Sequence, residues 1–332
     1  MKMTLFTLSL SVLLLADCVN AGSTATLSTL ILSGIGNAIL IGAPAKLAVT
    51  STGSDGKPYA GTPTFTSSDP NIVSVSADGT LTVKHLNVKP VTLTVTEDGK
   101  SAALKVETFG LDAAGGTFLN SRNGSAPGYV FMLGFRDVTG HPLADRVVFR
   151  IQGPAAFNHG EPILRSMNKG GTTPGSYAWE SDASIPAVTG TYVASGLVGG
   201  VTYSKTFTID AAQVQAIPSA VNVTFGASKY IATGTLPAGA PLVYGELYLA
   251  DPGGDPEAAQ PLGIVNYFEA LPVTGEFSPP LASGRYFMVL FAQNYHDERP
   301  DEVFPDQINM AISTSRYVTV PAPSASNNRN HR

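Results

Sequence analysis

The chain has 332 residues, among them 34 glycines and 24 prolines; 43% of it is hydrophobic, 14% is charged and its formal net charge is −5. That apolar content excludes a disordered chain, and the acid excess excludes the basic footprint of a nucleic-acid binder. Length fits two or three domains, and charge placement points to three. Residues 24–109 carry six lysines against six acids, residues 110–210 seven cations against seven acids, and residues 211–332 six against eleven, which is the whole net charge.

Residues 1–21 read as an export signal. Lys2 precedes an apolar run, Leu5 to Ala16, of signal-peptide length and shorter than a bilayer-spanning helix. Two processing schemes fit. Val19-Asn20-Ala21 offers small or apolar residues for cleavage before Gly22. Leu15-Ala16-Asp17-Cys18 is similar to a lipobox, with Asp17 where that motif has a small residue, and it implies a lipidated Cys18 anchored in a membrane. Either route takes the chain out of the cytoplasm. Cys18 is the only cysteine, so the folded part has no intramolecular disulfide, cysteine zinc site or thiol nucleophile.

Residues 24–109 form the first expected module. Leu47 and Val49 alternate, Ser54 to Pro58 turns, and Thr62 to Thr66 reads as a strand. Ser67-Ser68-Asp69-Pro70-Asn71 then leads into a strand with Val73 and Val75. An Asp78-Gly79 turn follows, and a second strand carries Leu81 and Val83. Asp-Gly between alternating runs is a strong hairpin signal, because glycine accepts φ > 0 without a Cβ clash. Val91 to Thr96 and Ala102 to Val106 complete about seven strands, with turns at the spacing of a β-sandwich. The Ser-Ser-Asp-Pro and Ala-Asp-Gly elements resemble the signature of the bacterial immunoglobulin-like domain, group 2. The resemblance covers 24–109. It implies a β-sandwich module of surface or secreted proteins, with no chemistry of its own.

Residues 110–210 form the second module. Tyr129, Phe131, Leu133 and Phe135 alternate, as do Val147, Phe149 and Ile151. Gly140-His141-Pro142-Leu143-Ala144 up to Phe149 echoes Gly56-Lys57-Pro58-Tyr59-Ala60 up to Phe65 at equal spacing. The stretch Asp137 to Phe149 also resembles invasin-type Ig-like domains. Residues 211–320 form an acidic third sandwich. Gly284-Arg285-Tyr286 there parallels Gly190-Thr191-Tyr192 in the second, and each tyrosine fits a tyrosine corner, its hydroxyl bonding back to nearby backbone. Residues 321–332 are expected to be a disordered tail. The fold class is all-β, as tandem Ig-like sandwiches.

Reactive groups are sparse. The histidines 85, 141, 159, 296 and 331 are not at metal-ligand spacing and read as loop and surface residues, and neither HExxH nor GxSxG occurs. Asp297, Glu298, Asp301, Glu302 and Asp306 supply hard oxygen ligands on a loop, which either face water or hold calcium, the only cofactor considered. Tyr177 and Trp179 share one face of a strand. Facing outward they make a stacking platform for a sugar; facing inward, Trp179 is a core aromatic. The expectation is a non-catalytic module for adhesion or envelope interaction, whose partner is a protein or polysaccharide. A carbohydrate-binding accessory is the second reading, and a hydrolase with a dispersed site the third.

Overall fold

The computed structural model describes residues 25–87, 89–122, 126–168, 176–238, 240, 242–250, 260–268, 270–295 and 304–321. Among these residues there is no α-helix, and the chain folds as tandem Ig-like β-sandwiches. The first contains β1 (Leu27–Ser33), β2 (Ala38–Leu40), β3 (Ala45–Lys46), β4 (Ala48–Gly53), β5 (Thr64–Ser67), β6 (Val73–Val75), β7 (Thr80–Val83) and β8 (Val91–Glu97). The Asp-Gly hairpin forms in the expected register, Val73 opposite Val83 and Val75 opposite Leu81. Gly79 sits at φ +82°, and Asp78 accepts from the Ser76 hydroxyl and the Thr80 N–H. The inward residues Val73, Leu81, Val83, Leu93 and Val106 make its core.

The next strand, β9 (Lys100–Asn120), is 21 residues long. Its first half pairs with β8, and its second half with β10 (Gly128–Arg136). One strand therefore runs unbroken past residue 109. The second core lies between β9, β10 and β13 (Ser176–Pro186) on one side, and β11 (Val147–Gln152), β12 (Ile163–Met167), β14 (Gly190–Val198) and β15 (Val201–Ile209) on the other. Tyr129, Phe131, Phe157, Tyr192 and Phe207 pack there, several edge to face. All nine residues of β10 are buried, because both of its faces are covered.

The third core lies between two further layers. One is β16 (Ser219–Phe225), β17 (Lys229–Thr235) and β20 (Val273–Glu276). The other is β18 (Leu242–Leu249), β19 (Gln260–Tyr267), β21 (Gly284–Gln293), β22 (Ile308–Thr314) and β23 (Val318–Val320). Both tyrosine corners form: the Tyr192 hydroxyl donates to Val188 O at 2.8 Å, and that of Tyr286 to Ala282 O at 2.9 Å. Burial pushes the Tyr192 phenol to about 12.

The second and third sandwiches share a sheet. β22 pairs parallel with β9, Ile308 opposite Gly116, giving the continuous order β13-β10-β9-β22-β21-β18-β19. A Cβ on Gly116 would sit 1.4 Å from the Ile308 carbonyl oxygen, so only glycine permits the approach. Amide side chains reinforce it. Thr117 Oγ1 donates to Asn309 Oδ1, and Gln307 accepts from Asp210 N while donating to Asp210 O.

Candidate functional site

A cleft of about 880 Å³ opens between the first two sandwiches. One wall is the edge strand β15; the other is residues 40–43 and 82–85, with Leu111 and Ala113 of β9 at the base. Ionisable side chains converge at its floor. The segment after β7 brings His85, β9 brings Asp112, β15 brings Lys205, and the chain ahead of β22 brings Asp306.

Asp112 is fully buried and saturated with donors. It accepts from Leu86 N–H at 2.8 Å and Ala113 N–H at 2.9 Å; His85 Nδ1 and Lys205 Nζ each lie 3.3 Å away. Such an array meets the hydrogen-bonding needs of a buried carboxylate. Lys205 Nζ also donates to Lys84 O. On the other side of the ring, His85 Nε2 lies 3.1 Å from Asp306 Oδ1. The imidazole therefore lies between two carboxylates, one at each ring nitrogen.

A second buried cluster adjoins the first. Asn87 N–H donates to Thr108 Oγ1 and Thr108 N–H to Asn87 Oδ1, and Thr108 Oγ1 donates to His85 O at 2.8 Å. Arg136, at the end of β10, donates from Nε to Thr108 O and from Nη2 to Asn87 Oδ1. Burial holds its guanidinium below the ordinary arginine value. Charges and amides here link the first sandwich to β9 and β10. With both imidazole nitrogens facing carboxylates, the arrangement fixes the orientation of the His85 ring. It does not align a hydroxyl nucleophile on His85.

The surface reading of His85 is thus corrected: it is 4% exposed, because Asp112 offers a buried charge for the ring to meet. Of the calcium candidates, Asp306 lies against His85, while Asp297, Glu298, Asp301 and Glu302 lie outside the described residues, as does Cys18. Among the described residues no group of three or more His, Cys, Asp or Glu could hold a metal. Tyr177 and Trp179 share the sheet face opposite Ala178, which points into the second core. The reading of Trp179 as a core aromatic of that sandwich is therefore corrected: strand register turns it to the other side. There Trp179 is half-buried and stacks on Tyr295 at 6.0 Å, while Tyr177 is 42% exposed and stacks on Phe304 at 6.0 Å. Spacing does not reveal the cluster of His85, Asp112, Lys205 and Asp306, since His85 lies 27 residues from Asp112 and 221 from Asp306.

No protein-family model matches the chain, and no curated protein matches it. Among solved structures it is similar to domains 5–6 of the S-layer protein SbsC, at 15% identity over 57% of this chain and 100% of that one, with a TM-score of 0.23. It is also similar to the FN1–FN3 domains of chicken CNTN1, at 13% identity over 89% and 97%, TM-score 0.22. Domains A168–A170 of titin match at 13% identity over 87% and 96%, TM-score 0.22. At these scores the matches carry no argument about this chain.

Proposed function

We propose that the chain is exported and serves at the cell envelope as a non-catalytic binding or structural module, its first sandwich related to the bacterial Ig-like group 2 domains. The observation that carries this reading is the docking of the sandwiches. A strand shared by the first two and a ladder shared by the last two leave rims, strand edges and end loops for contact, as on sandwich scaffolds generally. The Lys2 and Leu5 to Ala16 signal pattern supports export. The partner is a protein or polysaccharide of the envelope. In cells producing the full chain, a membrane-impermeant amine reagent added outside should label its lysines; exclusive labelling after lysis would overturn the surface reading. Mass spectrometry of the mature amino terminus separates a lipid on Cys18 from a free Gly22.

The exposed ring of Tyr177 favours a polysaccharide as the second reading. A glycan-array screen of the chain and its Tyr177→Ala variant reads this out. Binding that Tyr177→Ala abolishes supports it, and unchanged or absent binding counts against it.

A further inference from the structure

The far end of the first sandwich holds a second cavity, of about 470 Å³, lined by Val49 to Thr52, Gly56, Pro58, Tyr59, Gly61, Pro63 and Glu97. It lies at the hairpin that opens β9, twelve residues along the strand from Asp112, or about 40 Å at the rise of a β-strand. Its unusual member is Glu97. The residue is 3% exposed, yet its carboxylate has one side-chain partner, the Ser51 hydroxyl, which donates to Oε2. Among the described residues no lysine, arginine or histidine pairs with it, although the other deeply buried carboxylate there, that of Asp112, meets Lys205 and His85. A buried carboxylate without a counter-ion is costly.

Glu97 lines the cavity beside Tyr59 and Gly61. A Cβ on Gly61 would stand 2.4 Å from Glu97 Oε1 and 2.8 Å from Tyr59 Cε1, so carboxylate and ring pack directly on Gly61, and all three line the cavity. The Tyr59 hydroxyl donates to Asp98, which fixes the ring. That bond first, then desolvation and the charges of Asp98 and Glu97, raise the Tyr59 phenol above its ordinary value. The remaining walls are apolar or hydroxylic: Val49, Pro58, Pro63, Thr50 and Thr52.

We infer that this cavity binds a primary alkylammonium group, as on the lysine side chain of a partner polypeptide. Glu97 supplies the counter-charge, Tyr59 an aromatic border that favours a cation, and Val49 and the prolines a surface for the methylene stem. The chemistry is independent of where the chain works, so it can fail without the surface reading failing.

The test is an NMR titration of the purified chain with Nα-acetyl-lysine methylamide, and with its Nε-acetylated, neutral counterpart. The ammonium probe should give saturable shifts at Thr50 to Thr52, Tyr59 and Gly61, the neutral one should not, and Glu97→Gln should weaken binding at least ten-fold. Potassium chloride at matched ionic strength should not reproduce the shifts. If Glu97→Gln does not fold, Gly61→Ala, which displaces the Glu97 carboxylate and the Tyr59 ring but keeps the charge, should weaken binding instead. Equal response to the neutral probe, equal response to potassium, or unchanged affinity in the folded variants overturns the inference.

Discussion

The two junctions of this chain use the same strand in opposite ways. At the first, β9 passes from one sandwich into the next, and the partners are pinned by side-chain charge: Asp112 against His85 and Lys205, Arg136 against Asn87 and Thr108. At the second, β9 offers its backbone to β22, and the seam depends on a residue with no side chain, Gly116. A side-chain pin can be adjusted by single-atom changes, because each contact is one donor and one acceptor. A backbone seam tolerates neither bulk nor partial loss.

The largest expected effect follows from that difference. Gly116→Val drives a side chain into the Ile308 carbonyl, and should cost more than about 4 kcal/mol, in the range reserved for strain and lost packing. Chemical denaturation would register it as a lost or split transition; a variant as stable as the parent would break the comparison. Asp112→Ala comes next. It strands Lys205, His85 and two buried N–H groups, for about 3–5 kcal/mol. A loss below about 1 kcal/mol in urea titration would mean that the pin is solvated and weak, as surface pairs are.

Smaller effects sharpen the picture. Tyr192→Phe removes one corner hydrogen bond and should cost about 1 kcal/mol, as expected for a single bond of this kind. Asp78→Asn should lower the melting temperature slightly at neutral pH. The Ser76 hydroxyl, then Lys46 and Thr80, hold the Asp78 carboxyl well below the carboxylate range. Its contribution is therefore present above the unfolded value of about 3.9 and fades as pH falls through the folded one. A difference between parent and variant that grows on acidification would contradict this sign.

Local signals were legible in the sequence. The Asp78-Gly79 hairpin, the alternation of β10 and β11 and both tyrosine corners follow from neighbouring residues, whose turn chemistry and period-two pattern need no distant partner. The seam was not legible. Residues 110–120 contain Ala113-Ala114-Gly115-Gly116, which lacks an alternating apolar pattern, because a strand that meets backbone on one side and rings on the other must stay small. The paired glycines were the available signal, since glycine inside a strand marks close backbone approach. The charged pin stayed hidden for another reason: His85, Asp112, Lys205 and Asp306 meet only once three sandwiches have docked.

Amide hydrogen exchange at Gly116–Asn120 and Ile308–Ile312 tests the shared sheet most directly. Docking through a backbone ladder predicts protection there equal to that of Phe131 and Leu133 in the second core, lost together in Gly116→Val. Exchange of Ile308–Ile312 at the rate of an exposed loop in the parent protein would contradict it.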